Sequence, residues 1–298
     1  MDNEVRDLPA SRRSVLRLAA LTPGFLASRA WATEAQGARL APRLAVTTEV
    51  LRVRRTGWAG VQFQFGDKAL FIDPKLKIAA TGDPRLDMAV LDSPATSRYA
   101  AITHLHRDHF DTDALKKVLS GDGTVMCHHD VAATVASTGL STTGLASWEP
   151  CCAGENEANA FSIAPAPVAD GWGDPQVAWI VSAGGKRFIH GGDTAWTGMF
   201  FRIGQMYGPF DVAFLPINGV IQSEGMYVSV DQPKTMTPEQ AVDAAVALRA
   251  RQVVPIHYGA ASKPSYTEAT DSVARVRAAG NAAAISVRVL PPGDWMEM

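Results

Sequence analysis

The chain reads Thr103-His104-Leu105-His106-Arg107-Asp108-His109-Phe110-Asp111 at its most informative point. Three of its seven histidines fall here, with a carboxylate among them. Imidazole nitrogen and carboxylate oxygen ligate divalent metals such as zinc, manganese and iron. In extended chain, residues i and i+2 face the same way, so His104 and His106 are placed to grip one ion together. Asp108 and His109 follow at a turn and can reach a second ion. The preceding Tyr99–Thr103 is a short apolar run of strand type. In α/β sheets, ligands at the C-terminal end of a strand are presented to a cleft.

Upstream, Val50–Arg54, Val61–Phe65 and Ala69–Ile72 read as strands, the last two joined by a tight Gly66-Asp67 turn. That run closes on Asp73-Pro74. Downstream, Asp111 predicts an N-cap for a helix to about Leu119. Val125–Cys127 reads as a strand and is followed by His128 and His129. Adjacent side chains diverge, so this pair is expected at the surface or a helix start, not on one ion. Residues 138–160 are rich in Gly, Ser, Thr, Asn and Glu and read as loop. Phe161–Ala164, Ala178–Ser182 and Arg187–His190 read as strands. Then Val212–Leu215, Val253–Ile256 and Ile285–Leu290 alternate with helices near Gly198–Met206, Pro238–Ala250 and Thr267–Ala279. Hairpins followed by alternating strands and helices predict an α/β protein of two layered sheets with helices outside.

Composition sets the outer bounds. With 298 residues, 47% hydrophobic and 19% charged, the chain has an ordinary globular make-up and room for one large domain or two small ones. A formal charge of -2 argues against nucleic acid as a partner. Cys127, Cys151 and Cys152 are too few, and oddly numbered, for a disulfide framework; small buried apolar roles are expected. Ser11-Arg12-Arg13-Ser14-Val15-Leu16-Arg17 resembles the twin-arginine export consensus. An apolar stretch, Leu18–Ala27, and an Ala30-Trp31-Ala32 cleavage site follow. The stretch is too short to span a bilayer. We therefore expect a signal peptide at 1–32, a linker at 33–43 and one domain at 44–298. The twin-arginine machinery would be a partner, the location periplasmic or secreted, and no stable membrane span would remain after processing. That machinery carries folded proteins, which suits a chain that takes up metal before export.

The pattern His104-x-His106-x-Asp108-His109 resembles the signature of the metallo-β-lactamase superfamily. The resemblance implies an αβ/βα four-layer sandwich with one or two metals at the rim of two packed sheets. It implies a bridging carboxylate, and Gly191-Gly192-Asp193-Thr194 matches, so Asp193 takes that part. His257, in Val253-Val-Pro-Ile-His-Tyr-Gly259, completes the second ion's set with Asp108 and His109. Asp73 would support the ligand loop from beneath. Relatives often carry a histidine in a Gly-His-Ala turn; here Gly57-Trp58-Ala59 reads as lacking that polar group. Relatives also carry Pro-Ala-x-His between the motifs, where this chain has Pro165-Ala166-Pro167-Val168-Ala169-Asp170. His128 and His129 come too early, and His190 reads as lying inside a strand. Asp170 is the best replacement ligand, an oxygen where nitrogen is usual. Otherwise Asp170 only shapes its loop and the first site is weak or empty.

Such a centre implies a hydrolase. Two ions about 3.5–4 Å apart bring the pKa of a bridging water toward neutrality, and a metal-bound hydroxide attacks a carbonyl or phosphoryl centre. Asp108 and Asp193 would be the catalytic carboxylates. Zinc is the leading ion, one or two per chain, with manganese or iron favoured somewhat by extra carboxylate. The branch resembled best holds the ascorbate-6-phosphate lactonases and the N-acylphosphatidylethanolamine phospholipase D enzymes, over roughly residues 50–260. That implies an ester, lactone, phosphodiester or amide in a small-molecule or lipid-like substrate. Trp172, Trp196, Phe200, Phe201 and Tyr207 either line an apolar pocket or pack the core. Two rivals stand: an iron-pair redox protein, whose relatives carry a Glu in the first motif that is absent here, and a non-catalytic or single-metal protein with a degenerate first site.

Overall fold

A computed structural model describes residues 49–77, 90–121, 123–154, 160–173, 176–223, 232–260 and 266–298. The signal peptide and linker expected before residue 44 lie outside these residues. Among the described residues, no helix is long and apolar enough to cross a membrane.

The chain opens with three antiparallel strands, β1 (Leu51–Arg55), β2 (Val61–Phe65) and β3 (Lys68–Ile72). β4 (Ser97–Ala101) then runs parallel to β3. Helix α1 (Thr112–Leu119) follows, with Asp111 as N-cap accepting the Asp113 and Ala114 amides. β5 (Val125–His128), α2 (His129–Ala136) and β6 (Thr142–Leu145) extend the sheet in parallel. The second sheet opens with antiparallel β7 (Cys151–Ala153), β8 (Phe161–Val168), β9 (Gln176–Ala183) and β10 (Lys186–His190). Helix α3 (Met199–Tyr207), β11 (Val212–Pro216), α4 (Pro238–Leu248), β12 (Gln252–Ile256), α5 (Ser272–Ala283) and β13 (Ser286–Val287) continue in parallel crossovers. A last strand, β14 (Met296–Glu297), returns to pair with β1. Both sheets have seven strands.

Side-chain alternation produces the layers. In β3, Leu70 and Ile72 face the second sheet, while Ala69 and Phe71 face α1 and α2. Phe63 meets Phe188, Phe214 and Phe161 of the opposite sheet edge-on, at centroid distances of 5.0, 6.0 and 6.4 Å. Edge-on geometry suits the aromatic quadrupole. Outside the second sheet, Ile180, Ile189, Ala213 and Leu215 pack on Phe200, Ile203, Val242 and Leu248. Helix, sheet, sheet, helix is the expected αβ/βα order.

Some expectations fail locally. Residues 138–160 hold two strands, β6 and β7, instead of loop alone. Both lie at sheet edges. Edge strands are short and half solvated, so their sequences carry little apolar signal. The expected strand at 285–290 shrinks to Ser286–Val287, and the helix before it begins at Ser272. Cys127 is buried as expected, but Cys152 is exposed.

Candidate metal centre

Parallel pairing gathers the site. β3 and β4 run the same way, so Asp73 and the 103–109 loop leave one edge of the first sheet. β10, β11 and β12 do likewise, so Asp193 and His257 leave one edge of the second. The two rims are tied directly. The Trp179 indole N–H donates to the Ile102 carbonyl at 2.9 Å, and the Val177 amide to the Thr103 carbonyl at 3.1 Å. Gly192 lies at φ 62°, where a Cβ would come within 3.0 Å of Thr103. Any side chain here would be strained and would crowd Thr103, so glycine suits the close approach. Asp73 (φ 48°) and His257 (φ 52°) also adopt the left-handed region. Such strain in non-glycine residues persists only where surrounding bonds fix it, and it clusters at functional sites.

Two donor sets result. His104, His106 and Asp193 bring ligand atoms within 4.8 Å of one another, and so do Asp108, His109, Asp193 and His257. Asp193 belongs to both. Its Oδ2 faces His104 Nε2 at 3.8 Å, while its Oδ1 lies 2.8 Å from both His109 Nε2 and His257 Nε2. His257 Nε2 is also 3.1 Å from Asp108 Oδ2, and His104 Nε2 is 2.9 Å from His106 Nδ1. The donor set fits divalent ions on a physical test. Asp193 Oδ1 and His109 Nε2 are buried, close together, and without a hydrogen bond. Buried polar atoms of this kind are uncommon and call for a partner. A cation is one that satisfies nitrogen and oxygen lone pairs together. Asp73 orients the set from below. Its Oδ2 accepts from His109 Nδ1 at 2.7 Å and from Thr103 Oγ1 at 2.7 Å, and its Oδ1 accepts the Thr103 amide at 2.8 Å. A carboxylate on Nδ1–H leaves Nε2 bare for a metal.

Electrostatics distinguish the sets. Burial opposes charge at Asp193, yet His109 and His257 hold its carboxyl well below the usual range. In return, against burial, Asp193 with Asp108 and Asp73 raises His109 well above the ordinary imidazole value, and Asp193 with Asp108 pushes His257 up to about 9. Burial, then the His109 charge, takes His104 down to about 3. Metal ligation needs neutral imidazole. His104 is already neutral at pH 7, whereas His109 and His257 must each give up a proton. Loading the second set at pH 7 should therefore release protons, and its affinity should climb as pH rises toward about 9. Calorimetric titration in two buffers of different ionisation enthalpy measures this; identical apparent enthalpies would contradict it. Metal-free stability runs the opposite way. The His257 contribution is complete below the unfolded value of about 6.5 and disappears as pH rises through about 9.

Asp170 lies beside these sets but within neither. Its Oδ1 accepts the Trp172 and Gly173 amides at 2.8 and 2.7 Å. Its Oδ2 is buried without a partner. Burial raises its carboxyl pKa, with His106 pulling it down and Asp193 pushing it up. The aromatic residues divide. Phe200 and Tyr207 are core, Trp172 meets His106 edge-on at 5.6 Å, and Trp196 and Phe201 are exposed. His190 lies inside β10, its Nε2–H donating to the Ala59 carbonyl at 2.7 Å. His128 and His129 stand at the start of α2, as N-cap and first residue, which is the expected place. Their rings nonetheless lie 4.3 Å apart instead of diverging, with Asp130 3.2 and 3.0 Å from them. The Gly57-Trp58-Ala59 turn is also not devoid of a polar group: the Trp58 indole N–H donates to Asp108 Oδ2 at 3.0 Å. The local signal for it was a tryptophan placed where relatives carry another ring N–H.

Paired sheets under helices, with a shared carboxylate between two His/Asp sets at their rim, define the metallo-β-lactamase fold. The chain belongs to the β-lactamase superfamily: the family described as "Beta-lactamase superfamily domain" matches residues 68–258. A Thermococcus kodakarensis protein named a UPF0173 metal-dependent hydrolase is 27% identical over 258 residues, covering 84% of this chain and 100% of that one. A Thermus thermophilus protein of the same description is 30% identical over 223 residues, covering 70% and 84%. The solved structure of Igni18, described as a metallo hydrolase from Ignicoccus hospitalis, superposes with a TM-score of 0.62 at 23% identity, covering 84% and 98%.

Proposed function

We propose that this protein is a metal-dependent hydrolase with a two-ion centre bridged by Asp193. The observation that carries this is the division of one buried carboxylate, Oδ2 toward His104 and Oδ1 toward His109 and His257. His104 and His106 would hold the first ion, and Asp108, His109 and His257 the second. Divalent ions at such a site acidify water and polarise the bond to be cleaved. The protein's own groups supply orientation. Asp73 fixes the His109 tautomer. Asp108 is far more open than Asp193, with its side chain 44% exposed against 2%, so of these two carboxylates it is the one that can meet an attacking water or a leaving group. The UPF0173 relatives carry the same general description. Zinc suits the imidazoles, and the carboxylates extend the range to manganese and iron. The bond cleaved is an ester, lactone, phosphodiester or amide.

Reconstituted protein should hold about two equivalents of zinc or manganese; less than about half an equivalent would overturn the two-ion reading. A screen of the loaded protein across lactone, phosphodiester, ester and amide substrates should find turnover in one class that chelation removes. Asp170 completes the first set in this reading, because its Oδ1 is tied by two amides and its buried Oδ2 is left without a partner. Asp170→Ala should lose one metal equivalent and most activity. Retention of both would return Asp170 to a loop-shaping role and leave a centre of two histidines and one carboxylate at the first ion. We also propose export through the twin-arginine route; N-terminal sequencing of protein recovered outside the cytoplasm should start after Ala32.

A further inference from the structure

We infer that Trp58 is a positioning residue that holds Asp108 and His257 in place for the second ion, an inference that rests on the two-ion reading above. Trp58 sits in the β1–β2 turn, 4% exposed. It touches both ligands. Its indole N–H donates to Asp108 Oδ2 at 3.0 Å. Its ring lies 4.3 Å from the His257 imidazole, tilted by 50°. Its carbonyl accepts the His257 backbone amide at 3.1 Å. Asp108 needs such a tie most. It stands in a turn, with its side chain 44% exposed, and an untethered carboxylate there would spread over several rotamers. The indole N–H meets the same oxygen that faces His257 Nε2 at 3.1 Å. One oxygen is thus shared between the indole donor and the imidazole.

Trp58 is itself held by Arg55, whose side chain is fully buried. Arg55 Nη2 donates to the Trp58 carbonyl at 3.0 Å and to the Gly57 carbonyl at 3.3 Å. Nη1 donates to the Tyr258 hydroxyl at 2.9 Å and the Leu290 carbonyl at 3.3 Å. The guanidinium also lies 4.8 Å from the Tyr258 ring centroid. Tyr258 directly follows His257. A planar guanidinium offers its donors in a fixed fork, so one buried cation sets the spacing between the Trp58 turn and the His257 turn. The chain of contacts runs from Arg55 through Trp58 to two ligands on opposite sheets.

Trp58→Phe keeps the ring against His257 and removes the N–H. The expected result is a second metal equivalent bound about 10–100-fold more weakly, the usual effect of losing a ligand's supporting bond, with the first equivalent unchanged. In the cobalt-loaded protein the visible bands of the second ion should shift. At saturating metal kcat should recover in part, while KM changes little. Trp58→His retains a ring N–H of shorter reach, so its affinity should fall between wild type and Trp58→Phe, with circular dichroism confirming that both variants fold. If wild type binds two equivalents and Trp58→Phe matches it in affinity and cobalt spectrum, or if Trp58→His binds no better than Trp58→Phe, Trp58 has no positioning role and the two-ion reading stands. A wild type that holds no metal overturns both.

Discussion

Asp193→Ala is expected to release both ions and abolish hydrolysis. Asp193 is 1% exposed and is the one residue common to both donor sets. None of the remaining ligands takes its place, because each of its two oxygens serves a different set, Oδ2 facing His104 and Oδ1 facing His109 and His257. Bound metal should fall from about two equivalents to below about half, and kcat/KM by more than about a thousandfold, in line with the loss of a whole metal-assisted mechanism. The fold should survive. Without the carboxylate, His257 loses the largest charge that raises it, while Asp108 at 3.1 Å remains as its partner, so the imidazole is not stranded. The same change removes the proton release on metal titration, which gives a second readout. Metal analysis, calorimetry and circular dichroism on Asp193→Ala, with Asp193→Asn as the shape-matched control, check each part. A variant that keeps two ions would contradict the shared-bridge geometry.

Much of this geometry is legible in the residues because the ligands follow strands whose alternation is plain. Val61–Phe65 and the Gly66-Asp67 turn read without ambiguity, and they form β2 and its hairpin. His104, His106, Asp193 and His257 each stand just past an apolar run, where parallel strands deliver side chains to one rim. Legibility ends where a role depends on a partner distant in sequence. β14 is two residues long and pairs with β1 across the whole chain, so no local pattern announces it. Trp58 reads as the loss of a polar group from its turn. Only the approach of the 103–109 loop shows that its N–H is used. His128 and His129 stand at a helix start as their sequence suggests, but the 4.3 Å approach of their rings beside Asp130 is not something adjacent-residue geometry anticipates. Asp73-Pro74 is partly legible: a turn-forming Asp is evident, its three buried bonds are not.

Those three bonds make Asp73 the second position of large effect. Asp73→Ala leaves the Thr103 amide and His109 Nδ1–H without an acceptor in a fully buried place. It also puts alanine at φ 48°, a conformation with a steric cost for any residue bearing a Cβ. Removing one member of a buried charged network costs about 3–5 kcal/mol. In a domain of this size that corresponds to a fall in Tm of roughly 6–20 °C. Asp73→Asn is the sharper probe because it keeps the shape. Its amide can still accept the Thr103 N–H, but the other end then presents N–H groups to His109 Nδ1. The ring answers by moving its proton to Nε2, the nitrogen that faces Asp193 and the second ion. Metal affinity should fall about 10–100-fold while secondary structure is retained. The pH dependence carries its own sign. Burial raises the Asp73 carboxyl, but the charge and hydrogen bond of His109, with His190 and His104 behind it, together outweigh burial and the net direction is down. A depressed carboxyl stabilises the fold fully above its unfolded value of about 3.9 and loses that contribution as pH falls through the folded value. The Tm gap between wild type and Asp73→Asn should therefore be widest at neutral pH and close in acid below about pH 4. Equal Tm values at neutral pH, with unchanged metal affinity, would show that the 103–109 loop is held by something other than Asp73.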